Sequence, residues 1–375
     1  MQLTFFTNIP NHYQVALSQA WSNILGAQYS MVCWEKSIDE YNRLGWRQDY
    51  TYNWLINAWE NEHAYRRAYD LIYSSNIVIW GYAPLKAINR RVNRKRLTFC
   101  YHERPFKRGR WRILDPRVAG LIWNKYVKTN SEYHHLLAVG HHCASDFHFL
   151  RLFNGRIWRW GYFPEVPQDI SVKDDTDCPT VLWAGRMIPW KRVDLLIRAV
   201  AWARDNGANT FRLKLIGYGP EREKLQSLAN SLHLADMCEF VESQSPARVG
   251  EAMDNAHIYV LPSDRNEGWG VVTNEAMLRN CCVIGNYAAG AIPWLLNDGV
   301  NGRVFRSDNP NELGAILREC INNPNLRSTF GASARATSSN FWAPQVAAER
   351  LLTLSEALKA GLSSPYQDGG PCSPA

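Results

Sequence analysis

The stretch "AHIYVLPSDRNEGWGVVTNEAM" (256–277) carries the pattern of a buried strand, a polar loop and the first turns of a helix. A short apolar run, "CCVIG" (281–285), follows and predicts another buried strand. Two carboxylates, Glu267 and Glu275, stand eight positions apart in this crossover, whereas a helix capping box uses a spacing of three. Residues that follow the strands of a parallel sheet lie where such sheets bind ligands.

Short apolar strands alternate with segments of helical periodicity along the chain, which predicts an α/β protein. In the first half, strands are expected at 3–7, 29–34, 76–81, 96–102 and 135–140. In the second half, they are expected at 180–185, 212–217, 238–242, 257–262, 281–285 and 302–305. Helices of the second half are expected at 190–205, 219–232, 246–254, 272–279, 310–322 and 342–360. This pattern indicates two doubly wound, Rossmann-like domains with parallel sheets.

The domain boundaries follow from composition. The first domain is predicted to cover residues 1–165, and the second is predicted to cover residues 180–341. Residues 166–179 are proline-rich, acidic and without periodicity, which is typical of a linker. A C-terminal amphipathic helix is expected over 342–362, and the tail 363–375 is expected to be disordered. If the two sheets face each other, the cleft between them is the expected ligand site.

The net charge of +7 is unevenly distributed. Residues 1–165 contain 22 Lys and Arg against 12 Asp and Glu, a balance of +10, and the remainder carries −3. Basic clusters stand at 86–96 and 106–112, and aromatic residues are dense at 121–123 and 157–163. A basic surface rich in aromatic residues suits an anionic lipid leaflet, a phosphorylated substrate or nucleic acid.

Several classes of protein are disfavoured. No apolar run reaches the roughly 18 residues that a membrane-spanning helix needs, and the N-terminal sequence lacks the regions of a secretory signal. The nine cysteines include no C-x-x-C pair and are expected to be reduced core residues. The acidic "DDTD" (174–177) reads as a solvated loop, and the histidines of 134–149 match no standard ligand spacing, so no metal site is expected.

Two predicted strand ends of the second domain carry residues suited to anions. Arg186 and Lys191 follow the strand at 180–185, where two cations and the N–H groups of a helix start make an anion cradle. Gly217 and Gly219 follow the next strand and permit a tight turn that a nucleotide can approach closely.

A third strand end carries the two glutamates. The carboxylates of Glu267 and Glu275 can accept hydrogen bonds from sugar and ribose hydroxyls. Between them lies a loop whose backbone amides can approach a phosphate or a sugar, comprising Gly268, Trp269, Gly270 and Val271. Two cations, a glycine turn and two carboxylates together indicate a site for a diphosphate with sugars on both sides.

Four segments resemble the nucleotide-sugar domain of the family-4 retaining glycosyltransferases. They are "GRMIPWKRVDLLIRAV" (185–200), "LKLIGYGPEREKL" (213–225), "IYVLPSDRNEGWGVVTNEAM" (258–277) and "AAGAIPWLL" (288–296). The resemblance is dense over 180–345, and the two glutamates with seven residues between them are the family's motif. The first half is similar, more loosely, to bacterial transferases that build capsules and exopolysaccharides. The resemblance implies the GT-B fold, with two facing Rossmann-like domains and the active site in the interdomain cleft.

The resemblance also implies roles for individual residues. Arg186 and Lys191 match the pair that neutralises the donor diphosphate. Glu267 matches a carboxylate near the donor sugar hydroxyls, and Glu275 matches one that binds the nucleotide ribose. The base is expected at the loop around Ser243–Pro246, so that Pro246 joins the donor site. Gly217 and Gly219 match the turn near the nucleotide.

The first domain departs from the family where relatives often carry a glycine-rich loop. Here the loop after the first strand reads "FFTNIPNHYQ" (5–14), which offers Asn8, Asn11 and His12 on the acceptor side. Relatives also often place a histidine near the anomeric region of the donor. His102, at the end of the predicted strand 96–102, and His12 are the two candidates for this catalytic histidine.

These observations predict a metal-independent enzyme that transfers a hexose-type sugar, with retention, from a UDP- or GDP-sugar to a saccharide acceptor. No cofactor is expected besides this nucleotide-sugar co-substrate. The charge of the first half suggests a polyprenyl-diphosphate-linked acceptor and a cytoplasmic protein that associates peripherally with the inner membrane face, without a nucleic-acid partner. Two alternatives stay open: a GT-B-fold epimerase of nucleotide sugars, and a nucleic-acid-binding protein that uses the basic half.

Overall fold

The computed structural model describes the following parts of the chain: 1–36, 50–170, 173 and 176–375. It divides the protein into two compact units. The first unit combines residues 1–165 with 342–375, and the second unit contains residues 166–341. Each unit is built around its own parallel sheet.

Within its described residues, the first unit contains a seven-stranded sheet in which all neighbouring strands are parallel. The strands are β1 (Leu3–Thr7), β2 (Tyr29–Cys33), β3 (Leu55–Asn57), β4 (Ile77–Trp80), β5 (Thr98–Glu103), β6 (His134–Val139) and β7 (Ile157–Trp160). Their order in the sheet is β3-β2-β1-β4-β5-β6-β7. The helices between them are α1 (His12–Leu25), α2 (Glu62–Ser74), α3 (Leu85–Asn93), α4 (Pro116–Ile122) and α5 (His141–Phe149). A π-helical turn, Trp123–Val127, follows α4 directly.

The described part of the second unit contains six parallel strands. They are β8 (Thr180–Ala184), β9 (Arg212–Ile216), β10 (Cys238–Val241), β11 (Ile258–Leu261), β12 (Cys282–Asn286) and β13 (Arg303–Phe305), in the order β10-β9-β8-β11-β12-β13. The helices are α6 (Val193–Asp205), α7 (Arg222–Ser231), α8 (Pro246–Asp254), α9 (Val272–Leu278), α10 (Ile292–Leu295), α11 (Pro310–Asn322) and α12 (Pro324–Phe341). The prediction of two Rossmann-like α/β domains is confirmed.

The last helix, α13 (Pro344–Lys359), belongs to the first unit and packs against α1. The indole Nε1 of Trp21 on α1 donates a hydrogen bond to the Ala348 carbonyl at 3.3 Å. The chain therefore returns to its first unit after completing the second.

The tail 363–375 was expected to be disordered, and this prediction is wrong. Its end pairs with β7, the edge strand of the first sheet: Arg159 N donates to the Ser373 carbonyl at 2.8 Å, and Cys372 N donates to the Arg159 carbonyl at 2.9 Å. Cys372 is fully buried, and Arg350 forms an ion pair with Asp368 at 2.5 Å. An edge strand has unpaired backbone groups, and the tail satisfies some of them.

The predicted linker packs onto the second unit where it is described. Lys173 Nζ donates a hydrogen bond to the Met253 carbonyl at 2.8 Å, and Arg327 donates to the Thr176 carbonyl at 2.9 Å. Part of the acidic "DDTD" segment, 174–175, lies outside the described residues.

The aromatic stretch 157–163 was expected to contribute to a surface, but the structure places its larger rings in the core. Trp158 and Trp160 on β7 are both buried, and Trp160 stacks on Trp21 with ring centroids 6.4 Å apart. The other aromatic stretch, 121–123, does lie on the surface, since Leu121 and Trp123 are exposed.

The basic clusters are partly used by the fold. Arg91, from the cluster at 86–96, is completely buried, and its guanidinium donates to backbone carbonyls of Ile72, Ser75, Asn76 and Leu97. From the second cluster, Arg110 donates from Nε to the buried Asp146 carboxylate at 3.3 Å. Asp146 also accepts two hydrogen bonds from Arg104, each at 3.2 Å. These arginines organise the first unit.

Two histidines at the start of β6 are buried as neutral rings. Trp80 Nε1 donates to His134 Nε2 at 3.2 Å, so the other ring nitrogen carries the proton and donates to the Thr129 carbonyl at 3.0 Å. Trp158 Nε1 donates to His135 Nδ1 at 3.2 Å. Both rings are buried, and burial lowers the pKa of His134 to about 4 and that of His135 to about 3.

The nine cysteines have free thiols, and seven of them are buried. Among the residues that the structure describes, no helix has both the length and the apolar character needed to cross a bilayer.

Candidate functional site

The second sheet has its topological switch point between β8 and β11. From β8 the chain proceeds outward through β9 and β10, and it then returns to the other side of β8 with β11. In open parallel sheets, ligands bind outside the carboxyl ends of the strands at such a point. The loops that follow β8 and β11 carry the predicted cations and the first predicted carboxylate.

An ion pair joins these two loops. Lys191 Nζ lies 2.5 Å from the Glu267 carboxylate, and the two side chains retain only 18% and 12% of their exposure. A backbone hydrogen bond, from Asp264 N to the Trp190 carbonyl at 2.9 Å, runs between the same loops. The structure therefore brings together two of the predicted catalytic residues. We call this arrangement the Lys191–Glu267 clasp.

Gly270 has a geometric reason to be glycine. Its φ of +92° lies in the region that favours glycine, and a Cβ atom there would lie 3.0 Å from Leu261 and 3.5 Å from the Glu267 side chain. The backbone at Gly270 therefore passes directly beside the Glu267 side chain. Its neighbour Gly268 is also buried.

Glu275 lies in the first turn of α9, near the positive end of the helix dipole. A buried phenol on β11, Tyr259, is within electrostatic range of both glutamates. Burial raises the pKa of Tyr259 well above its usual range, and the charges of Glu275 and Glu267 raise it further. The Tyr259 hydroxyl lies 3.5 Å from the Ala184 carbonyl on β8. The sequence analysis missed this residue, although a tyrosine inside the aliphatic "IYVLP" run was a usable signal.

Trp269 was predicted to bind the donor, but its side chain is enclosed by the protein. The indole is fully buried, and its Nε1 donates a hydrogen bond to Asn274 Oδ1 at 2.8 Å. The Trp269 carbonyl accepts a hydrogen bond from Ala291 N at 3.1 Å. The indole therefore ties the loop to α9, and the carbonyl ties it to the loop after β12. A donor contact of Trp269 would have to come from its backbone N–H. Val271 is the residue immediately before α9 and is partly exposed.

Gly217 and Gly219 owe their identity to packing between loops. A Cβ on Gly219 would lie 2.3 Å from the Met187 carbonyl oxygen, and one on Gly217 would overlap the Gly185 carbonyl. Backbone hydrogen bonds hold the same loops together, including one from Met187 N to the Tyr218 carbonyl at 2.7 Å. Close approach of protein backbone is therefore sufficient to require these glycines, and their predicted contact with a nucleotide stays a prediction.

The remaining donor-side residues lie at strand ends or helix starts. Arg186 lies two residues after β8 and is exposed. Pro246 is the first residue of α8, whose N-cap is Ser245. Ser263, two residues after β11, is fully buried, and its hydroxyl has no hydrogen-bond partner among the described residues. Ser263 is a second polar group near this edge that the sequence analysis did not select.

His102 lies on β5, one residue before the end of the strand. Lys125, from the π-helical turn, places its Nζ 3.3 Å from His102 Nδ1, and the Trp80 and His102 rings are in edge contact. Burial lowers the pKa of His102 well below its usual range, and Lys125 lowers it further. His102 is therefore neutral at physiological pH, and its buried Nε2 has no hydrogen-bond partner among the described residues. Its assignment as the catalytic histidine stays a prediction.

The three predicted acceptor-side residues have different environments. Asn11 caps α1, because its Oδ1 accepts a hydrogen bond from Gln14 N at 3.0 Å. This structural role accounts for Asn11 without an acceptor. Asn8 follows β1, and its carbonyl accepts a hydrogen bond from Glu35 N at 2.9 Å. His12 is the first residue of α1 and its ring contacts Tyr13.

In the described part of the chain, no group of three or more His, Cys, Asp or Glu side chains is arranged to hold a metal ion.

Comparison with known proteins finds relatives that are similar to the second unit. Residues 168–337 match the family model described as glycosyl transferases group 1. An uncharacterized glycosyltransferase of Methanocaldococcus jannaschii is 33% identical over 235 residues, which are 61% of each chain. D-inositol 3-phosphate glycosyltransferase of Streptomyces coelicolor is 32% identical over 187 residues, which are 47% of this chain and 38% of that one. The chain thus spans less than two thirds of the length of either relative.

A structural likeness extends over both units. The crystal structure of HepE from Anabaena, in complex with UDP and glucose, has a TM-score of 0.67 with 15% sequence identity, and covers 96% of this chain and 100% of that one. At this identity the likeness shows the fold alone, and the fold is GT-B. Residues 168–337 accordingly match the glycosyl transferases group 1 model, within a chain of GT-B fold.

Proposed function

We propose that the protein is a family-4 retaining glycosyltransferase, which moves a hexose-type sugar from a UDP- or GDP-sugar to a saccharide acceptor in cell-surface polysaccharide synthesis. The observation that carries this proposal is the Lys191–Glu267 clasp at the switch point of the second sheet, with Glu275 in the first turn of the adjoining helix. Support comes from the group 1 family match, from relatives named as glycosyltransferases, and from the complex of HepE with UDP and glucose.

The donor-binding roles follow from charge and position. Arg186 and Lys191 follow β8 and supply positive charge for a diphosphate. Glu267 accepts hydrogen bonds from the donor sugar, and Glu275 accepts them from the ribose. Because Lys191 is already paired with Glu267, the clasp keeps the lysine ammonium beside the carboxylate that binds the sugar. A donor with its sugar next to its diphosphate matches that juxtaposition.

The proposed reaction breaks the bond between the anomeric carbon and the diphosphate oxygen. The acceptor hydroxyl oxygen forms the new bond on the same face, so that configuration is retained, and its proton passes to the leaving phosphate oxygen. Negative charge grows on the diphosphate as this bond lengthens, and Arg186 and Lys191 stabilise that charge. These two cations serve a role that a metal ion has in other transferases, so we expect turnover in the presence of EDTA.

We further propose that the acceptor is lipid-linked and that the first unit docks on an anionic membrane at the inner face. The segment 108–123 mixes arginines with apolar side chains that are more than half exposed, among them Leu114 at 82% and Trp123 at 56%. Arg108 and Arg117 are exposed in the same segment. Aromatic and apolar residues interleaved with cations are typical of surfaces that bind anionic lipid headgroups.

The donor proposal is tested by thermal shift with UDP-, GDP- and ADP-sugars, without added metal, on the wild type and on Glu275→Ala. A ligand that binds only the folded state raises the melting temperature by mass action. We expect one nucleotide class to raise it in the wild type and not in the variant. Glu251→Ala, an exposed glutamate on α8, is the matched control and should respond as the wild type does.

If no nucleotide sugar raises the melting temperature of the wild type, the proposed donor site is refuted. Transfer is then distinguished from epimerisation by incubating the active donor without acceptor. Isomerised donor would support the epimerase alternative, whereas a saccharide product that forms only with acceptor supports the transferase.

The membrane proposal is tested by sedimentation with phosphatidylglycerol and phosphatidylcholine vesicles. We expect binding to the anionic vesicles that decreases with salt and is lost in Leu114→Asp. Leu362→Asp, at a residue 63% exposed in the same unit, is the control that should still bind. Equal binding to neutral vesicles, or equal loss in both variants, would contradict the proposal.

A further inference from the structure

A partly buried lysine, Lys125, lies beside His102 and has no role in the proposed reaction so far. It is the middle residue of the π-helical turn Trp123–Val127. In this turn, Lys128 N donates to the Trp123 carbonyl at 3.0 Å, which is the bond across five residues that defines a π-helix. The turn places Lys125 Nζ 3.3 Å from His102 Nδ1. Single π-helical turns occur frequently at functional sites.

Two aromatic rings stabilise the charged form of this lysine. Lys125 Nζ lies 5.4 Å from the centroid of the Trp80 ring and 5.6 Å from that of Tyr126. An aromatic face attracts a cation within about 6 Å. Burial lowers the pKa of Lys125, and the attraction to the rings acts against that effect because it stabilises only the charged form. The lysine therefore faces His102 as an ammonium group.

The ammonium group decides which nitrogen of the His102 ring carries the proton. An ammonium has N–H donors and no acceptor, so His102 Nδ1 must accept the hydrogen bond. A neutral imidazole carries one N–H group, which is then at Nε2. Burial lowers the pKa of His102 well below its usual range, and the charge of Lys125 lowers it further. The ring is therefore a hydrogen-bond donor at Nε2 and a poor proton acceptor.

The other titratable groups around this ring are neutral near pH 7. His134, on the neighbouring strand β6, has a pKa lowered by burial to about 4. Cys143, on α5, donates from Sγ to the His102 carbonyl at 3.2 Å. Burial raises the pKa values of Cys100, Cys143 and Tyr126, so these groups keep their protons. Among these groups and the lysine, only the lysine carries a charge that can orient the imidazole.

The Nε2 atom of His102 is buried and has no hydrogen-bond partner within the described residues. Unpaired buried donors destabilise a fold and are rare in native proteins. A ligand oxygen that accepts this bond would remove the penalty. The rings of Trp80 and Tyr126 contact the imidazole edge-on, with centroids 5.2 and 5.8 Å from its own, and they limit its rotation. The donor is therefore oriented before a ligand binds.

We propose that Lys125 is a positioning residue whose ammonium group holds His102 in the neutral tautomer with the proton on Nε2, so that His102 donates a hydrogen bond to an oxygen of the bound substrate and does not act as a general base. The tautomer follows from residues of the first unit alone. The inference rests on the proposed function in one clause, which takes the oxygen to belong to a substrate of the transfer. A fixed donor stabilises negative charge that develops on such an oxygen.

The tautomer is measured by NMR on the whole protein labelled with nitrogen-15 histidine, from the correlations between ring protons and ring nitrogens. The spectrum of His102→Gln assigns the signals of His102 by their loss. In the wild type we expect a protonated Nε2, an unprotonated Nδ1 and no titration of this ring between pH 8 and pH 5. A proton on Nδ1 would overturn the inference, and so would a ring that titrates near the usual pKa of about 6.5.

Three variants test whether the lysine is the cause. Lys125→Met removes the charge from a side chain of similar length, whereas Lys125→Arg keeps a cation that can only donate. Lys128→Met is the matched control, because Lys128 is exposed and its Nζ donates to Asn124 Oδ1 at 2.8 Å.

We expect Lys125→Met to raise the pKa of His102 and to populate both tautomers. Lys125→Arg and Lys128→Met should keep the tautomer of the wild type. Unchanged His102 signals in Lys125→Met would overturn the inference. If Lys125→Met does not fold, the wild-type and Lys125→Arg spectra still decide, since a proton on Nδ1 in either protein is contrary to the proposal.

Kinetic measurements test the catalytic clause. We expect kcat for sugar transfer to fall about tenfold or more in Lys125→Met, while KM for the nucleotide sugar changes less than about threefold. Lys125→Arg should recover most of this loss, and Lys128→Met should react as the wild type does. The wild-type rate should show no ionisation of His102 between pH 8 and pH 5. A changed tautomer with an unchanged kcat would overturn the catalytic clause.

The two proposals fail in different ways. A wild-type spectrum with the proton on Nδ1 refutes the positioning role of Lys125 and leaves the proposed transferase standing. The expected tautomer in a protein that neither binds a nucleotide sugar nor transfers one refutes the proposed transferase, and it leaves the role of Lys125 in fixing the tautomer standing.

Discussion

Acid should destabilise the first unit selectively, because His134 and His135 are buried as neutral rings. Their pKa values in the folded state, about 4 and about 3, lie below the value of about 6.5 expected in the unfolded chain. The unfolded state therefore takes up protons below pH 6.5 that the folded state does not accept. The stability that the neutral rings contribute is fully present above pH 6.5 and is lost as pH falls through 6 toward 4.

The magnitude follows from these pKa values. Each ring should cost up to about 1.4 kcal/mol of unfolding free energy per pH unit. From pH 7 to pH 5 the loss should be about 2 kcal/mol for each ring and about 3–4 kcal/mol for both. The physical cause is burial, which disfavours the charged rings. Protonated rings would also place an N–H group against the indole N–H groups of Trp80 and Trp158.

Hydrogen exchange detected by mass spectrometry can measure this loss unit by unit. The peptide covering β6 reports the opening free energy of the first unit, and a peptide covering β9 reports that of the second. His135→Asn keeps an oxygen acceptor and removes the titrating group, so its loss between pH 7 and pH 5 should be about half that of the wild type. His63→Asn, at an exposed histidine on α2, should lose as much as the wild type. An equal loss in all three proteins would refute the reasoning.

Three further substitutions test other parts of the structure by urea unfolding. Gly219→Ala should lower the free energy of unfolding by about 2–4 kcal/mol, because its Cβ would lie 2.3 Å from the Met187 carbonyl oxygen. An unchanged urea midpoint of unfolding would contradict this packing argument. Trp269→Phe should lower the free energy of unfolding by about 1–3 kcal/mol, because it leaves the buried Asn274 Oδ1 without its donor. A variant with wild-type stability and an unchanged nucleotide response would show that the indole does not position the loop. Asp146→Asn should lower the free energy of unfolding by about 3–5 kcal/mol, because it removes the buried charge that binds two guanidinium groups. Wild-type stability of this variant would show that the carboxylate is not needed for the fold.

The strongly apolar strands were predictable because parallel strands covered on both faces are almost continuously hydrophobic. The run "LTFFT" of β1 and the run "IYVL" of β11 are buried along their whole length, and both were predicted within one or two residues. Two strands of the first unit, β3 and β7, were missed. β3 has only three residues, and β7 places Arg159 among tryptophans, which resembles a surface pattern. Local sequence was too short or too mixed to identify them.

A long helix was also missed: α12 has 18 residues and is rich in Ser, Thr, Asn and Gly. These residues have low intrinsic helix propensity, so the sequence alone argues weakly for a helix there. Its stability comes from burial of side chains such as Phe330 and Ala334, and from Arg335, which donates to the Leu278 carbonyl at the end of α9. Tertiary packing overrides propensity in this segment.

The candidate site was predictable in its residue types and less so in its pairings. Charge and strand ends were enough to select Lys191 and Glu267, which are 76 positions apart in sequence. Their contact depends on β8 and β11 being neighbours, which no local pattern reveals. The same limit hides the packing role of Gly219, since the Met187 carbonyl oxygen beside it belongs to a different loop.

The two sheets connect their first four strands in the same order. In each, the first strand of the unit lies inside the sheet, two strands follow on one side, and the chain then returns to the other side. The return separates the loops after the first and fourth strands, β1 and β4 in one unit and β8 and β11 in the other. The second unit places the charged Lys191–Glu267 clasp at this position. Strand order therefore brings together two charged residues that stand 76 positions apart in the sequence.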